Sequence, residues 1–422
     1  MTQRVNVERA VRAAAPYALV DAIRSLLTES HGATYVQLFL ADYGLSVLNP
    51  LSSLDPLADA AQPRSIHNSP EGRAFGSQEP REQQVRLDDA VDHHLPVTVR
   101  GERLGILTVR LPGERSTPEA VDDLTHVADL LGHEILVAER DTDVYRRARR
   151  VSRLTLAAEM QWQLLPARAC TAAEYALGAQ LESAYAIHGD NFDWAADSEQ
   201  LTLAVTNGMD EGIQASLLTS LAVNALRNAR RAGIGIADQA ALADQALYGQ
   251  YRGASYVSTL LLRFELATGR VEVVDAGSPQ LWLQRGRTVE RIGLTAQFPL
   301  GMFEESHYTA QEFQVLPGDR LLFVSDGVYD AASPLGEAYG ERALARAIHS
   351  TSLLPAATVP RAVLRELADY REAETTDDAL VLCLDWFGRQ DPPGRQDPPG
   401  RRDPSVRQHP SGRPESSADL DG

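Results

Sequence analysis

Four short acidic motifs, each at the edge of an apolar run, do most to limit how this chain can fold. They are HGDNFDW at 188–194, TNGMDEG at 206–212 after LTLAV, SDGVYDA at 325–331 after RLLFV, and TTDDALVLCL at 375–384, whose acids lead into the run. Short runs of branched and aromatic residues bounded by Gly, Asn and Asp read as strands. The acids therefore fall on turns and strand ends, where several strands can bring them to one rim of a sheet. Taken singly, an Asp-Gly after a strand is more often only a turn; four in this order form a pattern.

The 422 residues leave room for two or three domains, and 44% hydrophobic content supplies a core. A net charge of -18, from 40 basic and 58 acidic residues, disfavours nucleic acid or an anionic membrane as partner. All 40 basic residues are arginine. The absence of lysine excludes Schiff-base chemistry, a P-loop lysine and the protein-kinase strand lysine. Cys170 and Cys383, the only cysteines, are too few for a thiolate metal site or a disulfide framework. The first residues lack a signal-type apolar core, and no run approaches the ~18 apolar residues of a membrane span. The composition predicts a soluble, cytoplasmic protein that meets no membrane.

Ahead of the acidic motifs, residues 1–137 read as a helix, strands TYVQLFLAD and GLSVLNPL, and a polar stretch from Ser52 to Glu82. A hairpin LPVTV/LGILTVRL follows around Arg100-Gly101-Glu102-Arg103. Ser116 and Glu119 have capping-box spacing with Pro118 between them, so a long helix is predicted from there. This order resembles a GAF sensor domain, which implies a small-molecule ligand or a dimerisation surface. With no cysteine before residue 170, thioether attachment of a bilin is excluded. His93 and His94 read as two solvated loop residues, because neighbours on an extended segment point opposite ways.

Residues 138–166 read as a helical linker continuing the preceding helix. Leu130, Val137, Val144 and Val151 recur every seven residues, but the partner row is His133, Arg140, Arg147 and Leu154. Such a half-seam raises a homodimer through the linker as an expectation, and RRARR at 146–150 reads as a solvated helix face. Residues 388–422, with GRQDPP twice in succession, have too little apolar surface to order and are predicted to be a disordered tail.

Residues 167–387 carry the chemistry. EMQWQLLP just before them, Gly189-Asp190, the turn at 206–212, SYVSTLLLRFELATGRVEVVDAG, FPLG, LPGDRLLFVSDGVYDA and TTDDALVL resemble the successive blocks of the PPM-type, protein phosphatase 2C-like fold, nearest the bacterial SpoIIE and RsbU serine/threonine phosphatases. The resemblance implies an α+β chain whose C-terminal domain is an α-β-β-α sandwich, with two Mg²⁺ or Mn²⁺ ions at one end. Two such ions ~3.5–4 Å apart demand shared anionic oxygen ligands, and between them they activate a water for attack on phosphorus. Carried over by position, Asp190, Asp326 and Asp377 stand at metal-ligand aspartates and Gly208 at a ligating carbonyl. No further catalytic residue is implied.

Asn207 joins this candidate metal set in the place where the family has an aspartate bridging both metals, its neutral amide oxygen able to ligate one metal but not to offset the charge of two, and Ser278 stands where the family usually has a histidine. Asp210 and Glu211, behind the same turn, are candidates to supply the missing charge. Two readings follow. One is a metal-dependent phosphatase acting on a phosphorylated regulatory protein, by the resemblance an anti-sigma-factor antagonist. The other is a pseudophosphatase, a binding module without turnover. Asp193 and Asp330 read as solvated acids, and Met160 and Trp162 as packing residues.

Overall fold

Alternation of apolar residues resolves into three sheets, and every strand pair among the described residues is antiparallel. This computed structural model describes residues 2–51, 61–85, 89–182, 189–277, 279–333, 339–371 and 378–389. The N-terminal part contains α1 (Thr2–Ala13), α2 (Leu19–His31), β1 (Tyr35–Ala41), β2 (Val47–Pro50), β3 (Arg64–Ser65), α3 (Pro70–Ser77), β4 (Arg81–Gln84), β5 (Ala90–Val99), β6 (Glu102–Pro112) and α4 (Pro118–Ala138). Its sheet has the order β3-β2-β1-β6-β5-β4. Helices α1, α2 and α4 bury one face around Ile23, Leu38, Leu107 and Leu131, and α3 covers part of the other through Phe75 and Ile106. The β5–β6 turn has Arg100 at φ 51° and Gly101 at φ 96°, the positive pair that a two-residue hairpin loop requires.

Several expectations need correction here. The polar stretch is not wholly a loop: its described part holds β3, α3 and β4, and Ile66, Ala74 and Phe75 enter a core. Ser52–Ala60 lie outside the described residues. The cap of α4 is Thr117, whose hydroxyl accepts from the Ala120 amide, while Ser116 faces His93 at 3.0 Å. His93 and His94 are buried within β5, because that strand starts five residues earlier than the motif suggested and is paired on both sides. They do point to opposite faces, His94 lying 3.0 Å from the Thr108 hydroxyl. Burial depresses both imidazoles below their ordinary range.

The linker is not one helix. After α4 come α5 (Val144–Ala148) and α6 (Leu156–Leu164), so a continuous heptad seam through Leu130 and Val151 does not form. The breaks let Tyr145 and Leu154 turn into cores and leave Val137 and Val151 exposed.

Beyond α6 come β7 (Ala169–Thr171), β8 (Tyr175–Glu182), β9 (Asn191–Ala196), β10 (Gln200–Gly208), α7 (Gly212–Arg231), α8 (Ile236–Tyr251), β11 (Val257–Glu265), β12 (Arg270–Ala276), β13 (Gln280–Arg285), β14 (Thr288–Arg291), β15 (Gln311–Gln314), β16 (Arg320–Val324), α9 (Asp326–Tyr329), α10 (Gly340–Ser350), α11 (Val359–Arg371) and β17 (Ala379–Trp386). They build sheets β15-β12-β11-β10-β9 and β14-β13-β16-β17-β8-β7. The two sheets face each other through Leu201, Leu203, Val205, Leu260 and Leu262 on one side and Leu321, Phe323, Leu380 and Leu382 on the other. The intervening residues point outward, Ala204, Leu261 and Val274 to α7 and α8, Leu322, Val381 and Cys383 to α10 and α11. Strands buried on both faces read as unbroken apolar runs, which is why ALVLCL shows no polar alternation. The result is the α+β class with an α-β-β-α sandwich.

Residues 1–389 form one compact unit, and the predicted disordered tail lies outside the described residues from 390 onward. Within that unit the Thr171 amide donates to the Arg100 carbonyl at 3.0 Å, and Trp162 packs tilted against Tyr43 at 4.7 Å between ring centres. Trp162 is thus a packing residue, as its position on the entry helix suggested.

Candidate active site

Antiparallel pairing sets where the acids end up. The start of β9 lies beside the end of β10 (Asn191 opposite Thr206), and the end of β16 beside the start of β17 (Val324 opposite Val381). Asp190, Asn207-Gly208, Asp326 and Asp378 therefore share one end of the sandwich. Ala276-Gly277 reaches the same end, since β12 runs beside β11 and β11 beside β10.

Two hydrogen-bonded ties cross between the sheets. Asn207 Nδ2 donates to Asp326 Oδ1 at 2.5 Å, and the Gly327 amide donates to the same oxygen at 2.8 Å. On the other side, Asp378 Oδ2 accepts from the amides of Gly189 at 2.9 Å and Asp190 at 3.3 Å. Asp378 thus fastens the opposite turn instead of capping its own strand, a role that its place in an Asp-Asp pair did not reveal. Asp377, Ser278 and His188 lie outside the described residues.

Close backbone approach fixes the glycines. A Cβ on Gly189 would meet the Gly208 carbonyl at 2.5 Å, and one on Gly208 would meet Thr219 Oγ1 at 2.6 Å. Thr219, from α7, donates to the Gly189 carbonyl at 2.9 Å, and the Gly208 amide donates to it at 3.3 Å. Gly327 sits so tightly on the Asp378 carbonyl that a methyl group has no space. Gly327→Ala is accordingly expected to lower Tm by roughly 5 °C or more, because backbone must move to admit the Cβ; an unchanged melting curve would refute this packing.

Asp190 is 3% exposed, and its carbonyl and neighbour Asn191 are tied to the buried Gln161 of α6, Asn191 Nδ2 donating to Gln161 Oε1 at 3.1 Å. Asp193 corrects the expectation of a solvated acid. It is buried under α7, where Arg227 at 2.7 Å and Arg230 at 2.8 Å grip its two oxygens. Asp330 is exposed, as expected. Asp275, near the same end, has its carboxyl raised above the usual range by burial, against the opposing pull of the Gly277 amide and Arg291.

The candidate compensating acids do not join this cluster by any contact in the structure. Asp210, exposed and at φ 75°, accepts from the Ser255 hydroxyl at 2.8 Å, and Glu211 is exposed at the start of α7.

The donors at this end are carboxylate and carbonyl oxygens, the kind a hard divalent cation takes: Asp190, Asp326 and the Gly208 carbonyl, with Asp377 outside the described residues. Among the described residues no group of three or more acids, histidines or cysteines forms a metal cage. At position 207 an amide N–H faces Asp326, and an N–H cannot ligate a cation. The donor set has the oxygen chemistry of a divalent cation, and position 207 offers a neutral amide where a pair of cations would share an anion.

Residues 197–387 match the family model described as Stage II sporulation protein E (SpoIIE). No curated protein matches the chain. Among solved structures, the chain is similar to the RsbU and RsbW domains of Rv1364c from Mycobacterium tuberculosis, at 20% identity and a TM-score of 0.45, over 52% of this chain and 63% of that one. It is similar to the PP2C phosphatase domain with a fragment of the regulatory domain of SpoIIE from Bacillus subtilis, at 16% identity and a TM-score of 0.46, over 51% and 65%. Similarity to the SiaA-PP2C domain of Pseudomonas aeruginosa is 22% identity with a TM-score of 0.47, over 55% and 93%. This chain spans less than two thirds of the first two. No helix among the described residues is long and apolar enough to cross a membrane. Residues 197–387 of this chain are thus similar to the SpoIIE family.

Proposed function

We propose that this chain is a divalent-cation-dependent phosphatase that removes phosphate from a serine or threonine of a regulatory protein, the substrate class being an anti-sigma-factor antagonist. Residues 1–137 act as a GAF-like sensor that takes a small-molecule ligand, 138–166 as the connection, 167–387 as the phosphatase domain and 388–422 as a tail. The observation that carries the reading is the pair of cross-sheet ties at one sandwich end, Asn207 to Asp326 and Asp378 to the 189–190 turn. Asp190, Asp326 and Asp377, with the Gly208 carbonyl, are the groups that would hold Mn²⁺ or Mg²⁺. When bound there, the cation supplies Lewis-acid stabilisation of a phosphoryl group. This chain's own residues position it: Thr219 and Asp378 hold the Gly189-Asp190 turn, and Asn207 orients the Asp326 carboxylate.

The same Asn207–Asp326 bond favours a second reading, a module that binds the phosphoprotein without turnover, because it gives Asp326 a neutral donor where the family has a shared anion. Phosphate release from a phosphoserine peptide, measured with the full chain at increasing Mn²⁺ and again with chelator, separates the two. Release that requires Mn²⁺ is the expected result. Peptide binding with no release at any Mn²⁺ concentration, by both the wild type and Asn207→Asp, would replace the first reading with the second.

A further inference from the structure

Three arginines line one cavity between the N-terminal sheet and α11, and none of them forms an ion pair among the described residues. Arg103 on β6 and Arg361 and Arg365, one turn apart on α11, line a cavity of about 190 Å³ together with His67, Phe75 and Leu354. Among the described residues, Arg103 and Arg365 have no ion pair or hydrogen bond through their side chains, and Arg361 has only the His67 imidazole. The acids within electrostatic reach are committed elsewhere. Asp42 accepts three backbone amides, from Gly44, Ser46 and Val47, and Glu102 accepts from the Ala169 amide and pairs with Arg168.

The cluster is costly as it stands. Burial first, and then the charge of Arg365, pull the Arg361 ionisation down to about 10, against the opposing pull of Asp42 and with a smaller push from Arg103. Burial, Arg361 and Arg365 likewise depress His67, leaving its ring neutral and able to accept from Arg361. Like charges gathered in partial burial are relieved by a bound counter-ion, and planar guanidinium forks match the oxygens of phosphate in pairs.

We propose that this cavity binds a compact oxyanion of the phosphate class, held between Arg103 on the N-terminal sheet and Arg361 and Arg365 on α11. Its size sets the class, since about 190 Å³ lies below the roughly 300–1,000 Å³ of pockets for larger organic ligands. The anion bridges the N-terminal part to the helix that ends at Arg371, one segment before Asp378 of the candidate active site. The site is separate from the acids of the phosphatase end and does not depend on the activity proposed above.

Thermal unfolding and isothermal titration of the chelator-treated full chain with sodium phosphate, against sodium chloride at equal ionic strength, test this. Phosphate is expected to raise Tm by about 2 °C or more near saturation. Arg365→Gln, at an exposed position, should weaken phosphate binding about tenfold by removing a charged hydrogen-bond donor. In phosphate-free buffer the same variant should melt no lower than the wild type, because it relieves repulsion; an arginine serving only structure would lower Tm. Arg103→Gln, on the other wall, should lose phosphate binding likewise. O-phosphoserine provides a second arm: tighter binding than orthophosphate, lost in the same variants, assigns the site to a phosphoryl group on a larger molecule, and weaker binding to the free ion. No phosphate-specific shift in the wild type, or wild-type phosphate affinity in both variants, overturns the proposal.

Discussion

Asn207→Asp is expected to raise Mn²⁺ affinity by at least about tenfold and phosphate release with it, while lowering the Tm of the cation-free protein. In the wild type, the Asn207 amide donates to Asp326 at 2.5 Å. The aspartate variant puts two carboxylates in the same contact. Without a cation they repel; with one, they share it, as hard cations prefer anionic oxygen. Loss of a partner that merely orients a ligand costs about 10–100-fold in affinity or activity, so changing a residue in direct contact with Asp326 should do no less in the opposite direction. Tm measured across a Mn²⁺ titration reads binding apart from turnover. A small rise for the wild type and a steep one for the variant is the expected pair of curves. Identical curves would mean that position 207 does not face the cation. A gain in Tm without a gain in phosphate release would place a further defect elsewhere, Ser278 being the other departure from the family pattern. Lower activity in the variant would show that the wild-type site works with its amide in place.

The second large effect is predicted at Asp193, outside the candidate ligand set. Its carboxylate is held by Arg227 and Arg230, both largely buried on α7, and Arg227 also donates to the Leu164 carbonyl of α6 at 2.7 Å. Asp193→Ala leaves two guanidiniums facing each other in partial burial. Removing one partner of a buried pair typically costs about 3–5 kcal/mol; with the arginines about a fifth exposed, the lower end applies, roughly 3 kcal/mol. For a chain of this size that corresponds to a fall in Tm of roughly 5–10 °C. Asp193→Asn, which keeps two hydrogen-bonding atoms in place, should recover part of the loss. A variant that melts within a degree of the wild type would show that the pair is solvent-screened and that α7 is held by apolar contacts alone.

The two sheets were legible in the sequence because their signal is local. LTLAV, LLLRF, RLLFV and ALVLCL are apolar at the positions that face the opposite sheet and at most of those that face a helix layer, and that pattern needs no knowledge of neighbours. The β5–β6 hairpin was legible for the same reason, since Arg100-Gly101 is a turn whatever surrounds it. The placement of acids at strand ends also held, because a turn follows directly from where a strand stops. Asp378 was the miss within the motif: nothing in an Asp-Asp pair says which acid will turn toward the amides of a loop 188 and 189 residues away.

Burial was read least well wherever a polar residue owed it to elements distant in sequence. His93 and His94 looked solvated because their flanks are polar, yet β4 and β6 pair on either side of them. Asp193 looked solvated because its partners lie 34 and 37 residues further on. Ser116 fitted a capping box, but Thr117 took the cap and left Ser116 to His93. The linker showed a seven-residue apolar row, but the chain breaks twice within it to bury Tyr145 and Leu154 instead.

What the sequence determined by itself was the apolar strands of the sandwich, the β5–β6 hairpin, the acids at the strand ends, and an amide at position 207 where the resembled family has a carboxylate. Only the tertiary structure decided that this amide would rest on Asp326, 119 residues away, that Asp378 would hold the opposite turn, and that three arginines would face one cavity between the N-terminal sheet and α11. The reason lies in range. Backbone preference and apolar periodicity act over a few residues and are written in order along the chain. Charge and hydrogen bonding act between groups that meet only when antiparallel pairing has brought strand ends together, and the partner of each is set by that juxtaposition.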